Sequence, residues 1–265
     1  MTTNNQHRTI DTKNVMIRIF VVISYIGMVI VNYLANSLPI NGRTTGEVSN
    51  AYPNLFSPAG LTFSIWGLIY LLLAGYVLYQ FSKNAQKKGV LLQKVNIYFI
   101  ATSVANILWI FAWHFDYIGF SLIIMAALLF FLIKIADILR DEQLTLQDKL
   151  FVHAPFNVYL GWITVAAIAN ATVFLVSIGW NGFGMAGHLW ASIIILIGAI
   201  IGILRMLKDK SVVYGLVLIW AYVGILIKHV SSTGFGGQYP VVITSVIVCL
   251  ALFAFFVVRM IIKMK

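Results

Sequence analysis

Eight long apolar stretches, separated by polar connections, constrain this chain more than any other feature. They lie at about 17–36, 59–81, 95–114, 118–138, 154–177, 187–205, 212–229 and 240–262. A helix needs roughly 20 apolar residues to cross the hydrocarbon core of a bilayer. Only structures that satisfy their own backbone hydrogen bonds survive there. The expected fold class is therefore all-α, a polytopic membrane bundle of eight transmembrane helices. Composition enters as a check: 61% of residues are hydrophobic and 10% charged, too few polar side chains to coat a soluble domain.

The charges then orient the bundle. Of the 18 Lys and Arg residues, all but Arg43 and Lys228 fall on one side of the eight spans. The positive-inside rule makes that side cytoplasmic and puts both termini there. The net charge of +10 thus reads as membrane topology, with the bilayer as partner and no role for nucleic acid. A bacterial plasma membrane is the expected location. The single cysteine, Cys249, sits within the last apolar run, so the chain writes no internal disulfide and no cysteine metal site. Residues 1–16 read as a polar cytoplasmic tail. Ala35-Asn36-Ser37 has the look of a cleavage site, but the apolar run before it is longer than a signal sequence requires, so the first span is expected to be retained.

The connection at 37–57 is the longest on the outer side. It carries turn formers (Pro39, Asn41-Gly42, Asn50, Pro53-Asn54) interspersed with Leu38, Ile40, Tyr52, Leu55 and Phe56, and is expected to fold as an ordered cap. Immediately after it, Pro58 is placed to suit the first turn of a helix, where an amide has no partner to lose. The short links at 115–117 and 178–186 make their flanking helices antiparallel neighbours. Gly198 and Gly202 permit close helix approach.

Three spans carry aromatic faces. Trp66 and Tyr70, four residues apart, should stack on one helix face. Asn106, Trp109 and Trp113 fall on one stripe of the third span, and Tyr159, Trp162, Ala166 and Asn170 on one stripe of the fifth. Trp66 and Tyr70 suit either the wall of a ligand cavity or an interfacial anchor. An amide inside a bilayer needs a partner, so Asn106 and Asn170 should face the bundle interior. There they serve either as glue between helices or to orient a flat ligand.

These stretches resemble a known family. Tyr159-Leu-Gly-Trp162-Ile-Thr-Val-Ala166-Ala-Ile-Ala-Asn170 is similar to the fifth-helix signature of the TspO/MBR family of tryptophan-rich sensory or translocator proteins. Asn106-Ile-Leu-Trp109 resembles that family's third-helix Asn-x-x-Trp, and Pro58 with Trp66 and Tyr70 its approach to the second helix. Order and spacing agree over residues 17–177, which would form the family's five-helix bundle, with 178–265 adding three further transmembrane helices. Ser57 and Val158 stand where the family has prolines, and the aromatic pair after Trp109 appears only as Trp113 and Phe115. A tetrapyrrole-degrading activity using tryptophan rings is an idea attached to the family, neither supported nor excluded by these residues, but with no catalytic motif written no enzyme is expected. The resemblance implies a membrane sensory or binding protein that needs no cofactor. Its cavity would accept a porphyrin, a haem-like tetrapyrrole or a sterol. The ligand-binding residues would be Trp66, Tyr70, Asn106, Trp109, Trp113, Tyr159, Trp162 and Asn170.

Other polar groups read as follows. Arg43 is a candidate partner for a ligand carboxylate. His114 and His188 suit interfacial anchoring, and Asp116 a local pair with His114. Lys134, Asp137, Arg140, Asp141 and Glu142 read as a solvated helix end. Val77, Tyr79 and Lys83 meet the loose cholesterol-contact pattern, which is common in membrane proteins. Trp180, Trp190 and Trp220 suit an aromatic belt, and Ser231–Gln238 a flexible outer loop. A secondary transporter of a small hydrophobic or amphipathic molecule is the alternative function, although no carboxylate lies mid-span to couple an ion. No hydrolase, zinc-protease or dinucleotide motif is present. If the last three spans cover the surface other family members use for dimerisation, the protein is a monomer.

Overall fold

A computed structural model describes residues 2–38 and 40–264. Met1, Pro39 and Lys265, with the side chains of residues 2–14 and of Met264, lie outside the described residues. The side chains of Arg8 and Lys13, and the whole of Lys265 and the turn former Pro39, therefore have no described position, and of the expected 1–16 tail residues 2–14 are described only in their backbone.

Helix α1 runs Thr2–Ser37, and the short α2, Thr45–Asn50, sits in the first long connection. A 3₁₀ turn at Gly60–Ser64 leads into α3, Ile65–Tyr79. After the one-turn α4 (Lys83–Lys87) come α5 (Gly89–His114) and α6 (Ile118–Arg140). The single turn α7, Leu146–Asp148, passes through a π-turn at Lys149–His153 into α8, Ala154–Ser177. Last are α9 (Gly187–Asp209), α10 (Val212–Val230) and α11 (Pro240–Met264). Among the described residues, eight helical segments are long and apolar enough to cross a membrane, and there is no strand.

One expected boundary moves for an identifiable reason, and one that holds has an unexpected lead-in. Pro58 is not in a helical first turn, because the chain stays extended there and tightens first into the 3₁₀ turn. Helix α8 begins at the expected residue 154, but the π-turn at Lys149–His153 runs straight into it, one residue before Pro155, which lacks the amide that would bond back one turn.

Helices α1, α5, α6, α8 and α3 pack in that order around a closed ring, α3 returning to α1. Helices α9, α10 and α11 pack on one another and reach the ring chiefly through α8. That double duty explains α8's sequence. Every residue from Pro155 to Val165 is buried, so no polar face is tolerated. Small residues make the second contact. A Cβ added at Gly161 would lie 2.9 Å from Val217 Cβ. One at Gly198 would meet the Tyr222 hydroxyl at 2.9 Å, and one at Gly202 would meet Leu218.

The end opposite the cap is held by charge. Asp137 and Arg140 of α6 interlock with Arg205 and Asp209 of α9, with Arg205 Nε 2.5 Å from Asp209 and Arg140 3.0 Å from it. Asp209 is buried, so this is a helix–helix clamp and not the free solvated end expected for Asp137 and Arg140.

A cavity beneath the folded cap

The connection after α1 is folded, as expected. Thr44 caps α2, its side chain accepting from the Glu47 amide while the Glu47 carboxylate accepts from the Thr44 amide at 2.7 Å. That bond to the Thr44 amide holds the Glu47 carboxyl below its ordinary value. Val48 is fully buried and pins α2 to the bundle. Arg43 forms an ion pair with Asp116, and the Tyr52 hydroxyl donates to the same carboxylate at 3.1 Å. Loss of hydration, then this bond, raises the Tyr52 hydroxyl above its ordinary pKa. Asp116 therefore pairs across the cap and not with His114, which is fully buried. His114 Nδ1 lies 2.8 Å from the Ile110 carbonyl and Nε2 3.5 Å from the Thr45 hydroxyl. It anchors the cap to α5 rather than the bundle to the interface.

Under this cap the three aromatic faces meet. Trp66 stacks on Tyr70 with ring centres 5.6 Å apart and planes at 17°. Its other neighbours approach edge-on, Tyr159 at 5.9 Å and Trp162 at 6.2 Å. Trp109 stacks on Trp113 at 5.4 Å. Each such pair contributes roughly 0.5–1.5 kcal/mol beyond its burial and fixes ring orientation.

The amides hold these rings in place. Asn106 accepts from Asn32 Nδ2 and donates to the Tyr159 hydroxyl at 3.1 Å. Asn170 accepts from Trp109 Nε1 at 2.9 Å and donates to Ser121 at 3.0 Å. The Trp113 indole donates to the Thr45 carbonyl at 3.2 Å, tying the cap to the same cluster. Both asparagines are thus helix–helix connectors with protein partners.

Two adjoining chambers remain. The smaller one, with about 40 Å³ of free space, is lined by Trp66, Trp109, Trp113, Trp162 and Asn170, with Ser57 and Pro58 from the cap. The other, about 260 Å³, is lined by Asn32, Asn36, Ser64 and Tyr70. Thr45, Phe63 and Trp66 line both and form the partition. Asn106 and Tyr159 line neither and stand behind the wall. Among the described lining residues there is no charged side chain. Two polar groups are left over: Trp162 Nε1 and the Tyr70 hydroxyl are buried without a hydrogen-bond partner. Such an orphan costs roughly 1–3 kcal/mol.

Asn32, Thr45, Phe63 and Ser121 were not read from the sequence as site residues. Asn32 carried the same signal as Asn106, an amide inside an apolar run. Thr45 reaches the site only through the folding of the cap, which no helical periodicity records.

The geometry invites comparison with known families, and the model of the family described as TSPO-like protein matches residues 18–259. The chain belongs to the TSPO-like family. Membership places it among multi-pass membrane proteins of binding and sensory type. The match extends through α9, α10 and into α11, so these helices lie inside the matched region. No curated protein and no solved structure matches the sequence.

Helix α10 also reaches the roof of this TSPO-like cavity. The Ala59 amide donates to the Gly224 carbonyl at 3.0 Å, and Trp220 Nε1 to the Thr62 carbonyl at 3.0 Å. His229 Nε2 lies 2.9 Å from the Leu55 carbonyl. Trp220 is therefore a tether and not only a belt residue. Ser231–Gln238 forms a compact turn, the Phe235 amide bonding to the Lys228 carbonyl and its ring packing on His229.

Proposed function

We propose that the protein binds a flat, largely uncharged hydrophobic molecule beneath the cap, of the porphyrin, tetrapyrrole or sterol class, and acts as a sensory or binding protein. On this reading it lies in a bacterial plasma membrane with both termini cytoplasmic. The observation that carries the proposal is the pair of orphaned polar hydrogens, on Trp162 and Tyr70, in chambers walled by aromatic rings. A ligand with hydrogen-bond acceptors on an apolar plane satisfies both. Entry of a tetrapyrrole requires the Trp66 and Phe63 partition to swing so that the chambers merge. Arg43 is engaged with Asp116, so ligand carboxylates would stay outside the charge-free walls, at the cap.

The test is quenching of tryptophan fluorescence by protoporphyrin IX in the purified protein, with Trp66→Leu and Trp162→Leu alongside. Saturable quenching, weakened about tenfold or more by each substitution, is expected from the loss of a stacking wall or a donor. No saturable quenching, or titrations unchanged by both substitutions, would detach this ligand from the cavity and put the transporter reading first.

A further inference from the structure

A separate cavity of about 330 Å³ opens on the cap side, between the 53–56 segment, the ends of α8 and α9 and the turn that joins them. Leu55, Phe56, Leu175, Trp180, Trp190 and Ile194 supply its apolar walls. It shares no lining residue with the chambers beneath the cap. We infer that it is a second ligand site, for a small uncharged planar molecule carrying a hydrogen-bond acceptor.

Four observations support that chemistry. The volume falls in the range of small-molecule sites, about 300–1,000 Å³. Trp180 and Trp190 meet edge-to-face at 4.7 Å, and Phe183 approaches Trp180 at 5.2 Å, so the rings form a corner and are not spread as a belt. The described lining carries no charged side chain, which disfavours an ionic guest. The Trp180 and Trp190 side chains are half-buried, and neither indole nitrogen is among the fully buried unpaired atoms, so their N–H groups stay accessible to an acceptor that enters the cavity.

The turn that carries the corner is strained. Gly179, Gly182 and Gly184 have positive φ, which glycine accepts readily, but Phe183 also sits at φ 57°. Side chains with a Cβ disfavour that region, and strain of this kind concentrates at binding sites. The Phe183 ring is 79% exposed, so its own burial does not offset the strain. One wall comes from α9, through Trp190, Ala191 and Ile194, so the site exists only because helices follow the five-helix ring.

The probe is 7-methoxycoumarin, an uncharged planar bicycle with a carbonyl acceptor that quenches indole emission by energy transfer. It is titrated into the full chain in detergent. Saturable quenching is expected. Trp180→Leu and the cavity-filling Ala191→Phe should each weaken it about tenfold, the scale of one lost aromatic contact, while Trp162→Leu leaves the affinity unchanged. Trp180 lies in a surface turn, so its replacement spares the helix packing. Linear quenching matching partition into protein-free micelles would overturn the inference. So would a titration weakened by Trp162→Leu and not by Trp180→Leu, since the coumarin would then sit beneath the cap. The protoporphyrin result bears on neither outcome.

Discussion

The five-helix ring and the three helices packed against it are held by different forces. In the ring, buried amides, hydroxyls and indoles bond from helix to helix: Asn32 to Asn106 to Tyr159, and Trp109 to Asn170 to Ser121. Between ring and added helices much of the contact is close approach at glycines, Gly161 against Val217, Gly198 against Ile168 and Gly224 against Thr62, with Gly202 doing the same inside the added layer. The difference separates two tasks. Directional bonds fix ring orientation around a cavity, whereas small-residue packing gives adhesion in a bilayer, where no hydrophobic force drives helices together. The added layer's directional bonds to the ring run to the roof segment, at Ala59, Thr62 and Leu55, to the Asp137 and Arg140 clamp at the opposite end, and from the Tyr214 hydroxyl to Thr164; these do not reach the amides that hold the cavity rings.

The largest break in this comparison should come from Gly161→Leu. Its Cβ alone would sit 2.9 Å from Val217 and 3.2 Å from the Tyr214 carbonyl, so α10 must move off α8. Overpacking of this kind costs about 3 kcal/mol, read as a lowered midpoint of denaturation in mixed micelles. Porphyrin quenching should weaken with it, because α10 carries the roof tethers. Unchanged quenching would show that the ring holds its cavity without the added helices.

A smaller effect is expected from Asn106→Leu. It strips Asn32 of an acceptor and the Tyr159 hydroxyl of a donor, at roughly 1 kcal/mol in a membrane setting. Since Asn106 lines neither chamber, thermal stability should fall while porphyrin affinity drops only a few-fold, less than for Trp162→Leu. An equal loss of affinity would move Asn106 from the supporting wall into the site itself.

The smallest effect concerns the cap. The Glu47 carboxyl is depressed when folded, so its capping contribution is fully present above its ordinary value of 4.5 and is lost as the pH falls through the folded value. Amide exchange of residues 45–51, corrected for its intrinsic pH dependence, should therefore accelerate on acidification through that window. Glu47→Gln should remove the acceleration; its persistence would place the acid-sensitive contact elsewhere.

Much of the ring was legible because its signals are local. Spacings of three, four and seven residues put Trp66 with Tyr70, and Asn106 with Trp109 and Trp113, on single helix faces, and those faces meet. The fate of isolated polar residues was not legible. His114 read as an anchor at the interface and is buried; Asp137 and Arg140 read as solvated and are clamped to α9. Each depends on a partner tens of residues away, and helical periodicity carries no information about which helices become neighbours. Trp180 and Trp190 were read as belt residues, while their packing against each other depends on a turn at positive φ.

The sequence by itself determined the number of crossings, the all-helical class and the aromatic stripes, because bilayer thickness and helical geometry act on consecutive residues. Only the tertiary structure decided which amides are consumed in wall-building, and that Trp162 and Tyr70 keep unpaired donors. It alone joined α10 to the roof, with α9 and α11 packed against it. Those outcomes depend on which surfaces touch, and contact between distant segments is settled by packing the whole chain at once.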